Sequence, residues 1–256
     1  MTHRPRSLQH EYELYVDREI ETYKDSVPRH VILGVGAEAV ETLTSQAQLA
    51  LTEMLLCAEV DRIIKARLRI PAFATWRRRR LKAIKEFSRP ERWGMRPDSA
   101  IVRTARSAPD GHVLLAGVSE EGPAIYLAAN GCAVTALDST EQVLERVMNA
   151  ATEVGLTGRV RSVMTDLASW SPDLPLNAVV CAAAAFHGLS STERIHAIEL
   201  LQNATTLGGV RVVETGSNGE MVMPIDELRA RYRGWQITVE GGTQNHGTFL
   251  ARKAVA

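Results

Sequence analysis

Four carboxylates and two imidazoles occupy positions from which this chain could do chemistry. The stretch HVLLAGVSEEGPAIYL, residues 112–127, reads as a strand, a tight turn and a helix, the architecture of a loop that cradles a nucleotide. Such loops usually meet their ligand with glycine backbone, yet here only Gly117 is kept, and Ser119, Glu120 and Glu121 fill the turn. A Cβ at those places limits how closely backbone can approach a ligand. The two glutamates either face a ligand or cap the following helix, whose N-terminus favours negative charge. Asp138 ends the apolar run CAVTALD and Asp166 ends RVRSVMTD. A carboxylate at such a place accepts charge-assisted hydrogen bonds from a ligand or caps the next turn. His187, in AAAAFHGLSS, is a candidate general base for a hydroxyl, thiol or amine, and His246, in TQNHGTFL, is a second histidine on a terminal segment. No His/Cys/Asp/Glu cluster has metal-ligand spacing.

These residues need a sheet to hold them. From His112 onward short apolar runs alternate with amphipathic segments: HVLLAG, EGPAIYLAANG, CAVTALD, STEQVLERVMNAATEVG, RVRSVMTD, LNAVVCAAAA, TERIHAIELLQNATTLGG and VRVVETG. Alternation of this kind predicts a parallel sheet with crossover helices, because parallel neighbours require a long connection. The strands are nearly all apolar, as strands covered on both faces must be. After the helix PIDELRARYR, GWQITVE and TQNHGTFLARKA, joined by a turn containing Gly241-Gly242, read as a closing antiparallel hairpin. The fold class expected is α/β: five parallel strands and a terminal antiparallel hairpin, preceded by an all-helical unit over 1–100. The sheet domain is expected over 101–256.

The ordered set VLLAGVSEEGPAIYLAANGCAVTALD, MTDLASW, LGGVRVVE and ELRARYRGWQITVE followed by HGTFLARK resembles the class I S-adenosylmethionine-dependent methyltransferases. Within them it is most similar to the branch related to tellurite-resistance and thiopurine methyltransferases. The resemblance covers roughly residues 93 to 253 and implies a Rossmann-like seven-stranded sheet with S-adenosylmethionine as cofactor. It further implies methyl transfer to an O, N or S atom of a small molecule. It places Asp138 at the ribose hydroxyls and Asp166 near the adenine amino group, with Leu167 and Trp170 walling the ring and Phe186 covering the cofactor. The first loop departs from the family pattern: Leu115 stands where an acid is usual, and Ser119 and Glu121 stand where the second and third glycines are usual. Because the sulfonium is a cation, acids in this loop are tolerable, and Glu120 or Glu121 becomes a candidate ligand of the methionine amino group. Gly117, Ser119, Glu121, Asp138, Asp166 and Leu167 are therefore the expected cofactor residues and His187 the expected catalytic one. Gly208-Gly209 matches the family's turn into the fifth strand, where glycines permit positive φ and a tight entry. The strand before His187 lacks the Asn/Asp-Pro-Pro-Tyr sequence of many base and amide N-methyltransferases, which disfavours that acceptor class.

The first hundred residues contain no convincing strand. LQHEYELYVDREIETYKDS predicts a helix with Leu14, Val16, Ile20 and Tyr23 near one face, closed by Pro28. SQAQLALTEMLLCAEVDRIIKARLRI predicts a longer one, capped by Ser45 and stopped by Pro71, with Leu49, Leu56, Val60 and Ile64 aligned. PAFATWRRRRLKAIKEF predicts a third. The 256 residues carry 30 basic and 30 acidic groups, but residues 61–92 hold twelve Lys/Arg against Asp61, Glu86 and Glu91. That run, interleaved with Phe73, Trp76, Phe87 and Trp93, suits a nucleic-acid backbone or a solvated helix. Four adjacent arginines fan around a helix and cannot share one surface. A nucleic-acid-directed methyltransferase or binder, and a methyltransferase fold serving only as a partner protein, are thus the alternative functions. The apolar helix around residues 49–64 offers a surface for homodimerisation. Cys57, Cys132 and Cys181 lie apart in apolar runs, as small core residues do in a reducing compartment. No stretch has the length of a membrane span and no leader is legible, so a cytoplasmic protein is expected.

Overall fold

The computed structural model describes residues 7–44, 53–217, 220–221, 223–243 and 246–254. The chain divides into two compact units, Met1–Leu81 and Lys82–Ala256.

In the first unit, α1 (Leu8–Ser26) begins at Ser7, whose hydroxyl accepts the His10 N–H, the expected role of a serine N-cap. Tyr12, Val16 and Ile20 form its buried face, whereas Leu14 is exposed, a departure from the expected stripe. α2 (Arg29–Thr44) was not legible as a helix: Gly34 and Gly36 interrupt a run of β-branched residues, and both lower helix propensity. Pro28 therefore separates two helices, its carbonyl accepting the Val31 N–H. α3 (Glu53–Arg67) buries Ile63 and Ile64 and leans Leu56 and Val60 on the same cluster. Ser45 and Leu49, expected in this helix, lie outside the described residues. Cys57 is exposed on α3 rather than in the core. α4 (Phe73–Phe87) starts two residues after Pro71, whose carbonyl accepts the Tyr12 hydroxyl at 2.8 Å. Tyr12, Tyr15, Phe73 and Trp76 form an aromatic cluster with ring centroids 5.4–6.4 Å apart.

The second unit begins within α4 and includes α5 (Ala100–Ser107), a short helix that the sequence pattern did not reveal, packed on the sheet side. The sheet then builds in chain order: β1 (His112–Ala116), α6 (Gly122–Ala129), β2 (Ala133–Asp138), α7 (Glu141–Glu153), β3 (Val160–Met164), β4 (Leu176–Cys181), α8 (Ser191–Ala204) and β5 (Thr205–Glu214). A short ribbon of β6 (Gly216–Ser217) and β7 (Glu220–Met221) precedes α9 (Ile225–Arg231) and the hairpin of β8 (Gln236–Thr243) and β9 (His246–Arg252). Among the described residues the sheet has seven strands in the order β3-β2-β1-β4-β5-β9-β8, with β1 to β5 parallel and β9 antiparallel to both neighbours.

Alternation along each strand divides the core between the two faces. Val113 and Leu115 point to a cluster with α5, α6 and α7, and Leu114 and Ala116 to one with Phe186, Ile198, Leu228 and Tyr232. Each fully buried Val or Leu stabilises the fold by about 1.5–3 kcal/mol. β5 starts earlier than expected, at Thr205, and its first residues are offset by an irregularity opposite Leu176–Ala178. The Gly208-Gly209 entry follows from that offset. Gly208 has φ 74°, and a Cβ on Gly209 would lie 2.6 Å from Thr205 Cγ2 and 2.8 Å from the Thr206 carbonyl oxygen.

Candidate functional site

The strand order reverses between β1 and β4, and ligands of open α/β sheets bind outside the carboxyl ends of strands at such a switch point. The loops leaving β1, β2, β3, β4 and β5 carry Gly117–Glu121, Asp138, Asp166, His187 and Glu214 in that order, so the topology brings the expected residues to one edge.

Gly117 is fixed by geometry. It has φ 71°, its N–H donates to the Leu137 carbonyl, and a Cβ there would come within 2.5 Å of the Ala185 amide nitrogen. Any side chain would collide with the backbone of the β4 loop, which is itself tied to β1 by the Ala182 N–H on the Ala116 carbonyl. This glycine therefore lets two loops close at the switch point.

Beyond Gly117 the turn is redrawn. Ser119 is exposed, and its carbonyl accepts Arg146 Nη2 from α7 at 3.3 Å. Glu121 is the N-cap residue of α6 but makes no side-chain capping bond, and Glu120 has no hydrogen-bond or ion-pair partner among the described residues. Both glutamates, together with Gly122, Pro123, Trp93, Met95, Ser99 and Ile101, line an open cleft of about 490 Å³. Gly122 seats the indole of Trp93, to whose Cε3 an added Cβ would approach within 2.9 Å. Trp93 is held in turn by its Nε1–H on the Phe87 carbonyl at 3.0 Å and by the Phe87 ring, 5.9 Å away. Ser99 adds a buried hydroxyl without a partner. A cleft with two free carboxylates and an aromatic face suits a cation.

Asp138 ends β2 with one carboxylate oxygen accepting the Thr140 N–H at 2.8 Å, which leaves the other available. Asp166 follows β3 two residues after Met164, which is in register with Asp138. Both Asp166 oxygens are engaged by Ser169, one with its N–H at 2.7 Å and the other with its hydroxyl at 2.9 Å, and these bonds hold the carboxyl below the usual range. A carboxylate has about four lone-pair sites, so Asp166 keeps some capacity to accept. Leu167, Trp170 and Phe186 are core residues, exposed by only 2%, 6% and 2%; their side chains support the loops from beneath.

On the β4 side His187 is exposed at the end of the turn Ala183–Phe186. Glu214 closes β5. The residue is exposed at the strand end, yet desolvation of its carboxyl raises it above the ordinary range, and a hydrogen bond from the Ala183 backbone opposes that rise in part. Its signal in the sequence was a lone acid after the apolar run VRVV, the same pattern that singled out Asp138 and Asp166. Of the histidines considered, the backbone of His246 is in β9, and its side chain lies outside the described residues. Among the described residues no group of three His, Cys, Asp or Glu could hold a metal ion, and no helix is long and apolar enough to cross a membrane.

The basic run does not present one surface. Arg80 turns inward, its side chain 9% exposed and 3.1 Å from Glu11, while Arg77, Arg78 and Arg79 face solvent without ion-pair partners among the described residues.

A seven-stranded sheet in this order, with its penultimate strand in sequence at the edge and its last inserted antiparallel beside β5, is the class I methyltransferase fold. Two solved structures superpose on it with a TM-score of 0.50. TehB from Haemophilus influenzae is 18% identical, the match covering 60% of this chain and 61% of that one, so the chain spans less than two thirds of its length. The cyclase SpnF is 16% identical, with 61% of this chain and 79% of that one covered. No family model and no curated protein matches the chain.

Proposed function

We propose that the chain binds S-adenosylmethionine across the ends of β1, β2 and β3 and transfers its methyl group to an O, N or S atom of a small molecule. The observation that carries this reading is the pair of unpartnered carboxylates, Glu120 and Glu121, beside Trp93 in the cleft next to the switch point. A phosphate-bearing cofactor would be repelled there, whereas a ligand with an ammonium and a sulfonium is attracted. The cyclase among the structural neighbours bears the name of a different chemistry, so the fold by itself does not argue for methyl transfer.

When bound, the cofactor supplies an already activated methyl group. The protein's part is alignment, which can supply much of a methyl transfer's acceleration. In this reading Glu120 and Glu121 hold the amino group, the free oxygen of Asp138 accepts a ribose hydroxyl, and Asp166 accepts from the adenine amine. Gly117 keeps the β1 and β4 loops close enough to exclude water from the reacting atoms. The acceptor enters over the ends of β4 and β5, where Glu214 and His187 stand. Glu214 is the favoured base for an acceptor that must lose a proton, because its surroundings have already raised its basicity.

Isothermal titration with S-adenosylmethionine and S-adenosylhomocysteine tests the reading. Wild type should bind both, and Glu121→Gln and Asp138→Ala should each weaken binding by about tenfold or more, the loss of one charge-assisted hydrogen bond. Absence of heat with either ligand at millimolar concentration would remove it.

A further inference from the structure

At the opposite end of the sheet from the loops just described, a second cavity of about 300 Å³ opens between α5 and the face of β5, β9 and β8. Arg252 lies in register with Val210, the β5 residue that pairs with Ala178 of β4, and with Gln236 at the start of β8, whereas the carboxyl-end loops begin beyond Ala116, Cys181 and Glu214. The cavity therefore belongs to the second unit alone and shares no lining residue with the cleft beside Glu121.

Its lining has an unusual polarity. The three arginines Arg103, Arg106 and Arg252 converge on it, with hydroxyls from Ser107 and Thr238 and the amide of Gln236. One carboxylate answers them: Glu240 pairs with both terminal nitrogens of Arg103. That pair does not discharge the site. Arg103 Nε is buried without a hydrogen-bond partner. Arg252 donates from one nitrogen to the Ser107 hydroxyl at 3.3 Å, and no carboxylate lies within ion-pair distance of Arg252 or Arg106 among the described residues. The Thr104 hydroxyl is spent within α5 on the Ala100 carbonyl, so it is not a donor to a ligand. Two guanidinium groups in excess, with hydroxyl and amide donors around a concave space, form a set that an acceptor-rich anion completes.

We infer that this groove binds a phosphate group, either free or carried by a small molecule, through Arg106 and Arg252, with Gln236 and Thr238 as further donors. Phosphate fits better than a carboxylate because the donors approach from three elements, and a tetrahedral anion offers oxygens in three directions. The groove lies away from the edge at which the methyl-transfer reading places cofactor and acceptor, so the ligand is neither of these but an effector or an anchoring group.

The experiment is thermal unfolding and isothermal titration of the full chain with inorganic phosphate, at ionic strength held constant with chloride. Phosphate should raise the melting temperature in a saturable way, because a ligand selective for the folded state stabilises it. Arg106→Gln and Arg252→Gln, both exposed positions, should each weaken phosphate binding about tenfold while leaving S-adenosylhomocysteine titration unchanged. Arg78→Gln, in the exposed basic run, should leave phosphate binding intact. A phosphate effect matched by chloride, or retained in the Arg106→Gln and Arg252→Gln variants, would overturn the inference. So would binding of a single-stranded RNA by a groove that takes no inorganic phosphate, since the donors would then serve a polymer. Loss of cofactor binding alone would strike the methyl-transfer reading and leave this one standing.

Discussion

The indole of Trp93 rests on the α-carbon of Gly122, so closely that a methyl group there would lie 2.9 Å from ring atom Cε3. The contact joins the turn before α5 to the first residue of α6 and forms one wall of the cleft that Glu120 and Glu121 line. It also explains where the displaced glycine of the first loop went: the position is kept small for a ring. Gly122→Ala should destabilise the protein by about 1–3 kcal/mol, as overpacking does. Trp93→Ala should make the same substitution nearly neutral. A double-mutant cycle by urea unfolding measures this coupling, and additive losses would show that the contact is not tight. Gly122→Ala alone should also weaken S-adenosylhomocysteine binding, since the displaced ring enters the cleft.

Glu214 provides a second test, in which pH separates stability from chemistry. Its folded-state pKa is raised by partial desolvation of the carboxyl, so the ionised form is disfavoured in the folded chain and the protonated form is not. Wild type therefore loses stability as pH rises through the raised pKa and regains it below the ordinary carboxylate range. Glu214→Gln, always neutral and still able to accept the Ala183 N–H, should raise the melting temperature at pH 7 to 8, with the gain fading near pH 4. In a methyl-transfer assay the same variant should lower kcat by about a hundredfold or more if Glu214 takes the acceptor's proton. His187→Ala should cost much less; the reverse order would hand the role to His187.

Much of the fold was legible because it follows from period and punctuation. The apolar runs ending at Ala116, Asp138 and Cys181 are strands buried on both faces, whereas Gly208 and Gly209, expected at the turn into β5, lie within the strand at its irregularity. What escaped detection was local weakness overridden by packing. α2 carries two glycines, α5 is only eight residues long, and the ribbon of β6 and β7 has two residues a side. The strand ends that carry the candidate residues were legible, since register pairs Asp138 with Met164, two residues before Asp166. The site was not legible in its side-chain directions. Leu167, Trp170 and Phe186 have the composition of ring walls but point into the core, and Trp93, read with the basic run, instead walls the cleft. No sequence period encodes which way a loop residue turns.

His112 gives a pH dependence of the opposite sense. Burial is the main cause that lowers its pKa, helped by the nearby Arg161 guanidinium, with Asp173 opposing. Its Nε2 lies 2.8 Å from the Thr135 hydroxyl and its Nδ1 is buried without a partner. Protonation is thus easier in the unfolded chain, so stability is retained above pH 6.5 and falls as the solution is acidified towards the lowered value. Thermal melts from pH 8 to 5 should show this decline, and His112→Gln should flatten it. An unchanged slope in the variant would assign the decline to other groups.

The arginine run separates into two kinds of residue. Arg80 is buried against Glu11, and burial lowers its pKa although the glutamate opposes that. Arg80→Ala should destabilise the protein by about 2–4 kcal/mol, because Glu11 would be left half-buried without its counterion and the aliphatic stem lost. Arg78→Ala should stay within about 0.5 kcal/mol of wild type. Equal effects in chemical unfolding would mean that Arg80 is as solvated as its neighbours.

Arg211 is the largest fully buried side chain, and it is poorly satisfied. One nitrogen donates to the Ile198 carbonyl at 3.5 Å, while Nε and Nη2 find no partner. The guanidinium lies 5.5 Å from the centre of the Tyr232 ring, whose hydroxyl is also buried and unpaired. Burial pushes that hydroxyl up to about 12, with the arginine opposing the rise. A desolvated charge with one long hydrogen bond, the weak acceptor of the Cys181 thiol and a ring face costs more than it returns, since attraction to a neutral ring is worth only about 2 kcal/mol. Arg211→Met keeps the bulk and removes the charge, and should leave stability unchanged or raise it by about 1–4 kcal/mol. Arg211→Ala removes both and should be destabilising through the cavity it leaves between β5 and Tyr232. If the methionine variant unfolds as readily as the alanine one, the guanidinium and not its volume holds α8 and Tyr232 in place, and the charge is structural despite its two unpaired nitrogens.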